Sequence, residues 1–237
     1  GPISFKISNL TIAGGNDGLI IYHSPLASVE NCIIENNTNS GIQVGDSFIK
    51  VSDSIIRNNG KTGVSAFAKT LASINGNTII NDEHAIQIGG GSAAYIGNKP
   101  DSDGNIRGNT LTGPFEHGIR IEKNSYARIL ANTITGYSRT GIQVSRNSSA
   151  QIGSDSDQDT YDSSQRADYG NTLDGTALSG QSVEDWQRGI RIEESSTVEL
   201  HRNLIENHQQ GGVYAERQAV VILGGGNIVQ NNTRTNS

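Results

Sequence analysis

Methionine is absent from this chain, cysteine and tryptophan occur once each, and proline only four times in 237 residues. A single cysteine, Cys32, excludes an internal disulfide and leaves the redox compartment undefined. Aromatics are 5% and apolar residues 33% of the chain, too lean for a globule of this size built around one central core. Lysine and arginine total 18 against 24 acids, a net charge of −6, and no basic cluster or aromatic-basic stripe occurs. That balance argues against a nucleic-acid partner. No apolar run is long enough to span a bilayer and no secretory signal is visible. With no methionine and a Gly1-Pro2 start, the N-terminus reads as a protease scar on a piece of a longer polypeptide, so flanking domains are expected.

What is abundant is glycine, 29 residues, and it recurs in one setting. A small residue precedes a short apolar alternation at Gly18, Gly41, Gly63, Ala85, Gly118, Gly141, Gly189 and Gly212, with spacings of 23, 22, 22, 33, 23, 48 and 23. The unit is therefore 22 to 23 residues, with loops added to two units, and the chain is a solenoid. Within a unit the apolar residues recur at i and i+2 and are bounded by Asn, Asp, Gly and Ser, the pattern of strands. From Leu26 to Phe48, the runs Leu26-Ala-Ser-Val, Ile33-Ile34 and Gly41-Ile-Gln-Val predict three short strands and three corners per coil. Each coil buries its core against its neighbours, so low apolar content suits a thin rod. Stacking at roughly 4.8 Å gives eight or nine coils a core on the order of 40 Å long.

Two columns mark the corners. One is small and polar: Asn9, Cys32, Ser54, Asn77, Asn109, Asn132, Asn171, Asn203 and Asn227. Its side chains are suited to bond backbone left open at the bend and their equivalents one coil away. Four residues later come Ala13, Asn36, Asn58, Asn81, Gly113, Gly136, Gly175, Asn207 and Asn231. Asn and Gly enter the left-handed backbone region most cheaply, so this corner is predicted to need positive φ. Cys32 reads as a small buried member of its ladder.

With these columns the chain resembles the right-handed parallel β-helix repeat family, the fold shared by pectate lyases, polysaccharide epimerases, phage tailspikes and many bacterial surface proteins. The resemblance covers nearly all of residues 5 to 231. It implies an all-β, single-domain solenoid over 1–237, an extracellular or cell-surface location, and a carbohydrate context, while one fold hosts many activities.

Loops on a rigid scaffold are where function concentrates. Insertions are placed at 97–108 and 153–170 on one corner, and an extension at 176–188 carries Trp186. The two insertions are acidic at alternate positions, which makes Asp101, Asp103 and Asn105, and Asp155, Asp157 and Asp159, candidate calcium ligands. Neither has the twelfth-position Glu of an EF-hand, with Thr112 and Arg166 there instead, and solvated turn residues are the other reading. No cofactor is required by either reading of function below; calcium is the candidate ion.

The third strand supplies a second candidate site. With Ile119, Ile121, Ile190 and Ile192 inward, Gln87, Arg120, Gln143, Arg191 and Tyr214 form an outward column, with Glu122, Glu193 and Glu216 in another beside it. Gln87, Gln143, Arg188, Tyr214 and Trp186 are candidate contacts for the hydroxyls and carboxylates of a polysaccharide. Glu83-His84 and Glu116-His117 fall at equivalent corners of successive coils, either a metal or acid–base pair or two aligned turn residues.

Two functions follow. The first is a non-catalytic β-helical module of a larger extracellular protein, a rigid spacer with a glycan-contacting surface. The second, implied by the resemblance, is a polysaccharide lyase or C5-epimerase acting on uronic-acid polymers. Arg120 and Arg191 would neutralise the uronate, and His117, Glu122 and Glu193 would complete the acid–base set. The nearest match to an Asp-Pro-His-Asp segment is Asp82-Glu-His-Ala, which lacks the proline and second acid. A glycoside hydrolase is least favoured, because the aspartates cluster in loops.

Overall fold

The computed structural model describes residues 4–80, 82–97, 107–154, 170–177 and 186–232. Strand pairing is parallel throughout, and the architecture is a β-solenoid of eight complete coils with a ninth begun. First strands stack into one nine-stranded sheet running from Ser4–Ser8 through Leu26–Glu30 to Val220–Leu223. The model coil read from sequence is recovered as Leu26–Glu30, Ile33–Glu35 and Ile42–Gly45.

The core is one residue wide per position. Ile34, Ile56, Ile79, Leu111, Ile134, Leu173 and Ile205 stack inside the second strands, and Ile42, Val64, Ile86, Ile119, Ile142 and Ile190 inside the third, all fully buried. On the first strand an alanine recurs beside a branched residue: Ala72 with Ile74, Ala94 with Ile96, Ala127 with Ile129. Alternation thus places one apolar set inward, and stacking like on like removes it from water.

The small residue before each third strand has a steric cause. A Cβ on Gly141 would lie 2.8 Å from the Gly189 carbonyl oxygen and 2.9 Å from a Leu173 methyl, and the same crowding recurs along the column. Successive coils approach too closely there for a larger side chain.

Three side-chain ladders hold the corners. In the first, Asn77 Nδ2 donates to Asn109 Oδ1 at 3.0 Å and to the Val51 carbonyl at 2.9 Å, and the pattern repeats through Asn132, Asn171, Asn203 and Asn227. Cys32 and Ser54 continue it, the Cys32 amide donating to Ser54 Oγ at 3.1 Å. The second ladder runs Asn37, Asn59, Asp82 at the next corner. The third is of hydroxyls, with the amides of Thr70, Ser92, Ser125 and Ser148 donating in turn to Ser92, Ser125, Ser148 and Ser196.

The first coil departs from the predicted columns by one residue. Thr11 pairs with Ile33, which puts Leu10 rather than Asn9 at the Cys32 position and Gly14 rather than Ala13 at the Asn36 position. Asn9 instead takes a left-handed φ of 58°, as do its equivalents Asn31 and Asp53. Positive φ is found in the second-corner column at Gly14, Asn36, Asn58, Gly136, Asn207 and Asn231, whereas Gly113 and Gly175 lack it. Asn81 lies outside the described residues. In coils five and six the second and third strands merge into continuous strands, Thr110–Ile121 and Thr133–Val144. There the apolar rings of Phe115 and Tyr137 fill the inside of the corner, both buried, where coils two to four carry Asn37, Asn59 and Asp82.

Candidate functional site

On coils four to eight the third strands present the predicted outward columns in register. Gln87 pairs with Arg120, Arg120 with Gln143, Gln143 with Arg191, and Arg191 with Tyr214. The neighbouring column carries Glu122, Ser145, Glu193 and Glu216. Alternation alone predicts these acids to be open to solvent, yet Glu122 and Glu193 are 2% and 6% exposed. Flanking cations fold over them. Glu122 is bonded by Arg120 at 3.1 Å, Arg146 at 3.0 Å and Gln87 at 2.9 Å. Glu193 receives Gln143 at 2.6 Å and Arg191 at 2.8 Å, and Arg191 also reaches Glu216 at 2.6 Å. The Arg191 hydrogen bond holds the Glu216 carboxyl below its ordinary value. These acids are acceptors already committed to arginine.

One coil corner away, Arg139, Thr140, Trp186, Arg188, Arg191, Glu216 and Arg217 line a depression of about 240 Å³. Trp186 is half exposed. The Arg139 guanidinium lies 5.8 Å from the Trp186 ring centroid, and that of Arg188 lies 4.0 Å over Tyr214. Burial lowers the pKa of the Arg188 guanidinium. Among the described residues one carboxylate therefore faces four guanidinium groups and a half-exposed indole. Charges over aromatic faces hold such rings and cations in fixed relation.

The predicted sugar-contact set divides accordingly. Arg188 and Trp186 line this depression, with Tyr214 under the Arg188 guanidinium and Arg191 of the candidate catalytic set beside them, while Gln143 is buried and spent on Glu193 and Gln87 is tied to Glu122. Arg139, Arg146 and Arg217 were missed, because they sit at corners where strand alternation gives no direction; only their charge marks them. The candidate calcium residues Asp101, Asp103, Asn105, Asp155, Asp157 and Asp159 lie outside the described residues.

The two histidines stack. His84 and His117 are partners in the third-strand ladder, with ring centroids 5.3 Å apart and planes tilted by 32°. Both are buried, at 8% and 5% exposure. Burial, reinforced by Arg120, lowers the pKa of His84, and burial with His84, Arg120, Arg139 and Arg191 nearby takes His117 down to about 2. His117 is a neutral imidazole at physiological pH. Glu116 pairs with Arg139.

No curated protein matches the chain in sequence. The family model described as a right handed beta helix region matches residues 4–100 and 99–237. Among the described residues no helix is long and apolar enough to cross a membrane. With parallel coils, stacked corner ladders and a family match along almost its whole length, the chain belongs to the right-handed β-helix family.

Proposed function

We propose that the protein is a non-catalytic β-helical module, a rigid spacer of a larger extracellular or cell-surface polypeptide, whose third-strand face binds an acidic polysaccharide. The observation that carries this reading is the depression in which Arg139, Arg188, Arg191 and Arg217 stand around half-exposed Trp186 with Glu216 as the only acid among the described residues of its lining. In a chain of net charge −6, that concentration of guanidinium groups fits an anionic ligand. Arginine forks match carboxylate geometry, and an indole face covers the C–H surface of a pyranose ring. The acids on the same face, Glu122 and Glu193, are buried under arginine and so poorly placed to abstract a proton.

A lyase or C5-epimerase acting on uronates is the second reading. The observation favouring it is the neutral His117 imidazole, which carries an unprotonated nitrogen and lies in the same strand as Arg120.

Trp186 is the sole tryptophan, so its fluorescence reports directly on the depression. Titration with polygalacturonate or alginate is expected to change that emission, and a neutral dextran to leave it unchanged. Arg188→Ala is expected to weaken binding about tenfold, the loss of one charge-assisted contact. Equal response to dextran, or full affinity in Arg188→Ala, sinks the reading. Release of an unsaturated uronate, abolished by His117→Ala, would replace it with the lyase; an NMR assay of uronate stereochemistry covers epimerisation.

A further inference from the structure

One cluster on the described surface adjoins the proposed glycan contact, Glu116 pairing with Arg139, but supplies none of the residues that line the depression. At the entrance to the third strands of coils four and five, where coils three and six carry Thr62 and Thr140, the ladder carries His84 and His117. The residue before each is a glutamate, and the two glutamates are brought together by the Glu116 amide donating to the Glu83 carbonyl at 2.7 Å. Two imidazoles and two carboxylates are thereby stacked on adjacent coils.

Their relative placement is unusual for structural corner residues. His84 Nε2 lies 4.0 Å from Glu83 Oε1, and His117 Nε2 lies 3.7 Å from Glu116 Oε1, both too long for a hydrogen bond. Nδ1 of each ring is buried without a hydrogen-bond partner among the described residues. Among the described residues no hydrogen bond on Nδ1 therefore accounts for two imidazoles, each more than nine-tenths buried, being packed ring against ring at a tilt of 32°. One ligand atom each from Glu83, His84 and Glu116 lie within 4.8 Å of one another. Two ligands at about 2.1 Å from a tetrahedral ion stand roughly 3.4 Å apart, so the set is slightly expanded relative to a closed site. Glu83, exposed and on a flexible stem, has the freedom to close it.

We propose that Glu83, His84 and Glu116, with the His117 ring packed against His84, form a binding site for a first-row divalent transition-metal ion across coils four and five. Mixed imidazole and carboxylate donors suit zinc, cobalt or manganese, while a hard, larger calcium ion prefers six to eight oxygens that this corner does not supply. Glu83 and Glu116 reach solvent and provide the entry path. The ion would clamp two successive coils at the corner, tying them by ligand bonds in addition to the ladder.

The test uses the whole chain after dialysis against chelator, with Zn²⁺ followed by calorimetry and Co²⁺ by its visible spectrum. One Zn²⁺ is expected at this corner, with Co²⁺ giving ligand-field bands, and a tenfold excess of Ca²⁺ is expected not to displace it. Glu83→Gln, a surface change that leaves the fold intact, is expected to raise the Zn²⁺ Kd at least tenfold, and His84→Ala to abolish the cobalt bands. His23→Ala, which alters an exposed histidine paired with Asp46, is expected to change neither. Failure to bind Zn²⁺, binding insensitive to Glu83→Gln, or loss of binding in His23→Ala would each overturn the proposal. The glycan titration is read from Trp186 and stands or falls separately.

Discussion

At the residue scale, the second-corner ladder contains one member of the wrong charge. Asp82 occupies the place that Asn37 and Asn59 hold in earlier coils. Its Oδ1 accepts the Asn59 amide at 2.5 Å, but its Oδ2 is buried without a partner among the described residues. An asparagine would place a donor where Asp82 places a second acceptor: Asn59 Nδ2 points at the Ile34 carbonyl at 3.4 Å. Burial raises the Asp82 pKa to about 7. The folded state therefore holds a proton that the unfolded state releases, and this group's stabilisation is full below pH 3.8 and lost as pH rises through about 7. His208, stacked on Tyr137 and depressed to about 4 by burial, acts in the opposite sense: its contribution is full above 6.5 and lost as pH falls through 4. Asp82→Asn separates the two. Its stability relative to the parent is expected to rise between pH 4 and 7 and to level off above, by on the order of 2–4 kcal/mol. Urea melts in chelator-treated buffer at pH 4, 5.5 and 7.5 measure this; a difference that does not vary with pH would mean that Asp82 ionises normally in the fold.

At the scale of the element, the third strand is defined by what precedes it. Gly141→Val puts branched carbons against the Gly189 carbonyl and Leu173, and is expected to cost about 2–3 kcal/mol through overpacking. Ala85→Gly, at the one position where the column already tolerates a methyl group, is expected to cost about 1 kcal/mol or less. Thermal melts of the two variants check the order; a reversed order would contradict the close approach of coils. This column was legible in sequence because a steric need repeats in every coil. So was the Asn109 ladder, since each rung satisfies the same backbone groups. Asn9 misled because the residue before each rung is also turn-forming, Asn31, Asp53 and Gly76 in the next coils, so two adjacent columns look alike. The merged strand Thr110–Ile121 was not legible, since its cause is an apolar filling of the corner by Phe115 and Tyr137 rather than a local pattern. Burial of Glu122 was likewise hidden: alternation fixes the direction of its Cβ, while Arg146, from a corner of the next coil, decides its exposure. The aspartate loops obey no repeat, and no periodic argument reaches them.

For the whole molecule, the decisive property is that each coil touches only its neighbours. Stability is then a sum of coil terms and interface terms, and a coil in the middle has two interfaces where an end coil has one. The burial follows that count. Ile74, Ile96, Ile129 and Ile152 are fully buried on the first-strand sheet, whereas at one end Phe5 is 38% exposed and at the other Leu223 is 71% exposed. The charged network adds to the bias, since buried Glu122 and Glu193 cross-link coils four to eight, whereas in the first three coils Glu30, bridged by Lys6 and Lys50, stays partly exposed. Hydrogen exchange read by mass spectrometry is expected to show protection highest in Ala93–Ile96, Tyr126–Ile129 and Thr133–Val144. It should fall off through Ser4–Ser8 and Val220–Leu223. Equal protection from Ser4–Ser8 to Tyr126–Ile129 would require interface terms so large that the stack opens only as one unit. The asparagine rungs would then transmit order along the rod rather than merely close each corner, because an amide that bonds both the side chain of the next coil and a carbonyl of the preceding coil couples three coils at once. The gradient measures how strong that coupling is against the terminal loss of an interface.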